Sequence, residues 1–176
     1  MSEKTLNWSI LGLGRFGKVH AQTLQSLPGI RLHSACNRNQ AVLEQHSADL
    51  GITNTTNSAA EILADDAVDI ISIVTHWQDH HQLTLAALQA GKHVFLEKPI
   101  AATAAQAQEL VAAAGEASGL LMVGHICRFD PRYSLARDAI LAGEIGDVTT
   151  IHAKRNLPVA PANIRLGKIP PLVGDG

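Results

Sequence analysis

A short apolar run, LNWSIL, breaks into GLGRFG and then into a stretch with helical spacing. Three glycines arranged G-x-G-x-x-G between a strand and a helix leave few folds open. Gly12 permits a tight turn. Gly14 lets the backbone approach a pyrophosphate that any Cβ would strike. Gly17 lets the helix pack close to the strand. The N–H groups at the helix start then face the phosphates. Taken alone, the six residues could also be a glycine-rich turn with no ligand, so the rest of the chain has to decide.

Downstream, two kinds of segment alternate. RFGKVHAQTLQSL places Phe16, Val19, Leu24 and Leu27 near helical spacing and stops at Pro28-Gly29. IRLHSAC reads as a strand and NQAVLEQHSADL as a helix ended by Gly51. An extended piece near Ile52 is followed by Ser58 as the N-cap of AAEILA. VDIISIV is apolar on both faces, as a buried parallel strand should be. QDHHQLTLAALQA is a helix with Gly91 past its end, KHVFLE a strand closed by Pro99, TAAQAQELVAAAGEAS a helix ended by Gly119, LLMVG a strand and DPRYSLARDAILAG a helix. Such alternation predicts β-α-β units and an α/β, doubly wound parallel sheet of Rossmann type. GDVTTIHAKRN alternates like a strand of another sheet, and the proline-punctuated tail PVAPANIRLGKIPPLVGDG reads as an extended loop. The expected division is a dinucleotide-binding domain over 1–123 and the start of an incomplete α+β substrate domain over 124–176.

Composition removes several partners. The net charge is -2, which gives no electrostatic case for nucleic acid or an anionic membrane. Ala67 to Val74 is the most apolar stretch and is far shorter than the roughly 20 residues a bilayer requires. No basic and apolar leader opens the chain. Cys36 and Cys127 are too few for a disulfide framework and fit reduced thiols. The expectation is a cytoplasmic protein with a small-molecule substrate.

The second strand should end at the residue that meets the adenosine ribose. An acid there favours NAD. Here the residues are Asn37-Arg38-Asn39. A guanidinium matches a 2′-phosphate through paired hydrogen bonds, so Arg38 points to NADP as the preferred cofactor over NAD. The competing possibility has Arg38 facing solvent and Asn37 accepting either cofactor.

AGKHVFLEKP, residues 90–99, carries a more specific signal. It resembles the glucose-fructose oxidoreductase / inositol dehydrogenase / MocA family of NAD(P)-dependent dehydrogenases. GRFGKVHAQTL, VDIISIVT followed by His80, VGHICRFDPRY and AGEIGDV resemble other landmarks of the family in the same order, over nearly the whole chain. The resemblance implies hydride transfer between a nicotinamide cofactor and a sugar, polyol or related hydroxy or carbonyl compound. It makes Lys98 the group that polarises the reacting oxygen and stabilises a developing alkoxide. It makes Glu97 an orienting acid for the cofactor or for Lys98, and implies a cis Lys98–Pro99 bond. Cofactor-side residues would be Gly12, Gly14, Arg15, Phe16, Gly17, Asn37, Arg38, Thr75, His76, His80, Glu97, Lys98 and Arg128. The chain departs from the family at His76-Trp77, where Pro and Asn are usual. His76, His80 and His81 raise the question of a metal site, but no cysteine completes one and none is expected. Arg128 and Asp130 either border the substrate cleft, pair with each other, or cap the following helix.

Family members are about twice as long, and their second domain supplies a histidine shortly after an aspartate and usually the subunit interface, so homo-oligomers are expected of full-length relatives. Here VGDG reaches Asp175, a second catalytic candidate, and no histidine follows. The chain therefore reads as the N-terminal part of a dehydrogenase. Two other readings are a module that holds NADP without catalysis and an oxidoreductase of a neighbouring Rossmann class.

Overall fold

The computed structural model describes residues 5–154. Strand β1 (Leu6–Leu11) leads through the glycine loop into α1 (Arg15–Ser26). There follow β2 (Ile30–Cys36), α2 (Gln40–Leu50), β3 (Thr55–Thr56), α3 (Ala59–Ala64), β4 (Ile70–Ile73), α4 (Trp77–Gln89), β5 (His93–Leu96), α5 (Ala104–Glu116), β6 (Leu121–Val123) and α6 (Pro131–Leu141). A 3-10 turn, Ile126–Phe129, precedes α6. The strands form one six-stranded sheet in the order β3-β2-β1-β4-β5-β6, and every pairing is parallel. This is the doubly wound Rossmann sheet, with the order reversing between β1 and β4.

Period-two alternation sends neighbouring residues to opposite faces. Ile10, Leu13 and Ala35 join Ala21 and Leu24 of α1 and Leu43 of α2 in one core. Leu11, Cys36, Ile71, Ile73, Val94 and Leu96 join Ile62 of α3, Ala87 and Leu88 of α4 and Leu110 of α5 in the other. In β2 the register against β1 slips by one residue: Trp8 lies opposite Leu32, but Ser9 lies opposite Ser34. His33 is the extra residue of this bulge. Its Nε2 reaches the Asp65 carboxylate at 2.8 Å, and the Ser9 and Ser34 hydroxyls pair at 2.7 Å in the buried interior.

The face of α1 differs from the one its large apolar residues suggest. Phe16, Val19 and Leu27 are exposed, and the buried positions are Gly17, Ala21 and Leu24. The helix lies so close to the sheet that small residues occupy the contact. Ser58 occupies the N-cap position of α3, but its side chain makes no capping bond. The short extended piece falls at Thr55–Thr56 rather than near Ile52.

Contacts divide the chain into two units, one up to Arg128 and one from Phe129. In the second, Asp130 caps α6 by accepting from the Arg132 N–H at 3.0 Å, and Pro131 sits in the first turn. The Arg132 side chain also donates to Asp130, and these bonds hold its carboxyl down to about 2. Capping is thus the role the structure gives Asp130. Residues 146–154, the described part of the expected strand GDVTTIHAKRN, take no regular structure. Among the described residues every paired strand belongs to the one parallel sheet, so this segment has no ladder to join. The proline-punctuated tail and Asp175 lie outside the described residues.

Candidate functional site

The glycine loop is built by crowding. At Gly12, φ is +101°, and a Cβ there would lie 2.5 Å from the Val74 carbonyl oxygen. At Gly17 a Cβ would lie 2.1 Å from the Gly12 carbonyl oxygen. Only glycine fits either place. Gly14 differs: its Cβ would meet nothing closer than Asn37 Nδ2, at 4.0 Å, so open space lies before it. The Gly12 and Leu13 N–H groups both donate to the Cys36 carbonyl at 2.8 Å, tying the loop to β2. The first helical bond closes from Lys18 N–H to Gly14 O at 2.9 Å. The N–H groups of Arg15, Phe16 and Gly17 therefore stand in the first turn of α1, where no earlier turn supplies acceptors.

Beside this loop a cleft of about 370 Å³ opens at the carboxyl ends of β1, β2 and β4, where the strand order reverses. Gly12, Gly14, Asn37, Arg38, Thr75 and His76 all line it, with Asn57, Asp79 and Leu83. Asn37 is fixed from several sides: its side chain accepts from the Asn39 N–H at 2.9 Å, and its carbonyl accepts from Asn57 Nδ2 at 2.7 Å. Arg38 is paired, with Nη2 3.0 Å from the Asp79 carboxylate on α4. Sequence reasoning did not single out Asp79; its place in the first turn of α4, facing the end of β2, was the available signal. Cys36 also lines the cleft. Burial pushes its thiol up, with Glu61 adding to this and Arg38 opposing it, so it is a poor nucleophile.

The other sequence candidates sit around this cleft rather than in its lining. Arg15 and Phe16 are exposed on the first turn of α1, and Gly17 is buried beneath it. His80 is buried: Nδ1 donates to the Pro99 carbonyl at 2.7 Å, and Nε2 lies 3.3 Å from the Thr75 carbonyl. Through the Nδ1 bond it ties the turn after β5 to α4, whose first turn lines the cleft. That turn contains the cis Lys98–Pro99 bond. Lys98 is exposed, while Glu97 is buried and accepts from the Lys98 N–H at 3.1 Å. Arg128 lies in the 3-10 turn, its N–H donating to the His125 carbonyl at 2.9 Å. His76 stacks near Trp77, ring centres 5.4 Å apart. His81 pairs with Glu109 at 2.7 Å. No cluster of three metal-ligating side chains occurs among the described residues, and none of their helices is long and apolar enough to cross a membrane.

These features fit a dinucleotide. The space before Gly14 and the free first-turn amides of α1 form a phosphate cradle that a single Cβ would fill. Residues 6–125 match the model of an oxidoreductase family with an NAD-binding Rossmann fold, Gfo/Idh/MocA. The chain is 34% identical over 145 residues to scyllo-inositol 2-dehydrogenase (NAD(+)) of Bacillus subtilis, covering 82% of this chain and 42% of that protein. It is 31% identical over 151 residues to 4-carboxy-2-hydroxymuconate-6-semialdehyde dehydrogenase of a Sphingobium species, covering 84% and 48%. Among solved structures, scyllo-inositol dehydrogenase of Lactobacillus casei with bound NAD(H) and scyllo-inositol superposes with a TM-score of 0.76 at 31% identity, covering 83% and 44%. The chain thus spans under half the length of these relatives.

Proposed function

The chain belongs to the oxidoreductase family with an NAD-binding Rossmann fold, and from that premise we propose that it transfers a hydride between a nicotinamide dinucleotide and a hydroxyl-bearing carbon. The His80 bond to the Pro99 carbonyl, which ties the Lys98–Pro99 turn to the first turn of α4 beside the cleft, carries this reading. On this reading the exposed Lys98 ammonium stands toward the cleft end of the sheet. When bound, the nicotinamide supplies the hydride acceptor or donor. The protein's part is to hold and polarise. The Gly14 cradle and the amides of Arg15 to Gly17 would hold the pyrophosphate, and Asn37 and Arg38 the adenosine end. Lys98 would donate a hydrogen bond to the substrate oxygen and stabilise charge as its proton is lost. Asp175 is the second candidate for moving that proton. A cyclic polyol such as inositol, or a related sugar, is the substrate class that the inositol dehydrogenase relatives support.

The choice between NAD and NADP turns on Arg38. Its place in the cleft supports NADP, since a guanidinium suits a 2′-phosphate. Its pairing with Asp79 opposes a strong preference, because the phosphate must first displace a carboxylate. Fluorescence titration with NADH and NADPH, then turnover across inositols and sugars, tests the proposal. Binding of NADH or NADPH with inositol turnover supports it; no binding of either dinucleotide overturns it.

A further inference from the structure

His20 lies on α1, three residues past Gly17 and so on the same side of the helix. Three polar side chains from three other segments lead to it: Trp8 of β1, Ser72 of β4 and Glu97 in the turn after β5. Trp8 of β1 can only donate through Nε1, and it does so to the Ser72 hydroxyl of β4 at 2.9 Å. The Ser72 hydrogen is then left for His20 Nδ1, 3.5 Å away, the longest link of the chain. That fixes the ring hydrogen on Nε2, which donates to Glu97 Oε1 at 3.3 Å. The other oxygen, Glu97 Oε2, receives the Lys98 N–H. Every hydrogen has one place to go.

Packing fixes the ring as well. Phe16 and Phe95 meet the imidazole edge-on, with centres 5.2 and 5.5 Å from it. The His20 and Glu97 side chains are 13% and 9% exposed, so water competes little for these bonds. A Cβ on Gly124 would come within 3.1 Å of the same Glu97 Oε1, so a side chain there would press on the carboxylate.

We infer that His20 is a positioning residue for Lys98: through Glu97 it registers the lysine turn against the helix that begins at the glycine loop. The inference rests on the reading that Lys98 acts on a substrate beside the dinucleotide. Reacting groups must be placed to within a fraction of an ångström, and supporting hydrogen bonds provide that placement.

The test compares His20→Phe, which keeps the aromatic volume and loses the nitrogens, with His20→Gln, which keeps a donor, and with Gly124→Ala, which presses on Glu97 from the other side. Each protein is labelled with acetic anhydride, and the rate at Lys98 is read by mass spectrometry against Lys18 in the same sample. NADH affinity and the unfolding midpoint are measured alongside. His20→Phe and Gly124→Ala should each change the relative Lys98 rate by about threefold or more, and His20→Gln should restore it toward wild type, with NADH affinity held within about twofold. A folded His20→Phe protein with an unchanged Lys98 rate overturns the inference. So does a His20→Gln protein as altered as His20→Phe, since aromatic volume alone would then be the role. If His20→Phe does not fold, Gly124→Ala decides by the same criterion. Failure of the wild type to bind NADH would refute the cofactor reading, while the labelling would still judge the link.

Discussion

Strand β5 has a lysine just beyond each end, and the two are used in opposite ways. Lys92, before the strand, is buried, and its Nζ donates to the carbonyls of Asp65 at 2.7 Å and Val68 at 3.0 Å. Lys98, after the strand, is exposed. The same contrast extends across the sheet. At the amino end, His33 bonds Asp65, Asn7 N–H donates to the Asp69 carboxylate, and loops are closed by their own polar groups. At the carboxyl end stand an open space before Gly14, unshared helix amides and a cleft. One end spends its hydrogen bonds on folding and the other keeps them for a ligand.

The largest effect should come from disturbing the carboxyl end at its backbone. Gly17→Ala would drive a Cβ into the Gly12 carbonyl. Calorimetry should find about 3 kcal/mol of stability lost, the upper part of the range for an overpacked site, and NADH titration should find binding abolished. A stable Gly17→Ala protein that binds NADH would break the comparison at its centre. The two lysines give the next test. Lys92→Met leaves the buried Val68 carbonyl without its lysine donor and takes one of two donors from the Asp65 carbonyl, and urea unfolding should register a loss of about 2 kcal/mol, with NADH affinity unchanged in the folded fraction. Lys98→Met should alter stability by no more than about 0.5 kcal/mol. Its inositol turnover should fall about 10²-fold or more. Equal destabilisation by the two would erase the distinction.

Asp79→Asn sharpens the picture within the cleft. Freed of its carboxylate, Arg38 should raise the affinity for NADPH relative to NADH by about tenfold in paired titrations. An unchanged ratio would mean that Arg38 does not meet the 2′-phosphate. The smallest effect belongs to the amino end. The Asp65 carboxyl is held below the usual carboxylate range, first by the His33 hydrogen bond, then by the Ala67 N–H. With its folded value depressed, its contribution is complete above the unfolded value near 3.8 and is lost as the pH falls through the folded value. Asp65→Asn should therefore flatten the decline of stability with acid below about pH 4, measured by urea midpoints. An acid limb of unchanged steepness would assign that decline to other carboxylates.

Much of this was legible in the residues. Strand and helix boundaries follow from alternation, glycines and prolines because parallel strands buried on both faces and capped helices leave strong local marks. The crowding at Gly12 and Gly17 follows from the loop's spacing. What stayed hidden depends on contacts between distant segments. Asp79 belongs to a helix start 41 positions beyond Arg38 and becomes visible only when β2 and α4 meet. His20 reads as one polar residue on a helix until Ser72 and Glu97 flank it. The helical spacing of α1 is legible but not its buried face, because Phe16, Val19 and Leu27 carry more apolar surface than Gly17 and Ala21, yet closeness to the sheet selects the small side chains beside Leu24.

The extra residue at His33 acts as a phase shift in a ruler. Up to Leu32, the even-numbered positions of β2 point toward α1; beyond the bulge, odd-numbered Ala35 does so, and Cys36 falls to the opposite layer. Any count that starts from the strand's beginning therefore arrives at the adenosine corner one step out. Excising His33 would join Leu32 directly to Ser34 in the register they already hold against Trp8 and Ser9, so Ala35 and Cys36 would keep their present faces and only the His33–Asp65 bond would go.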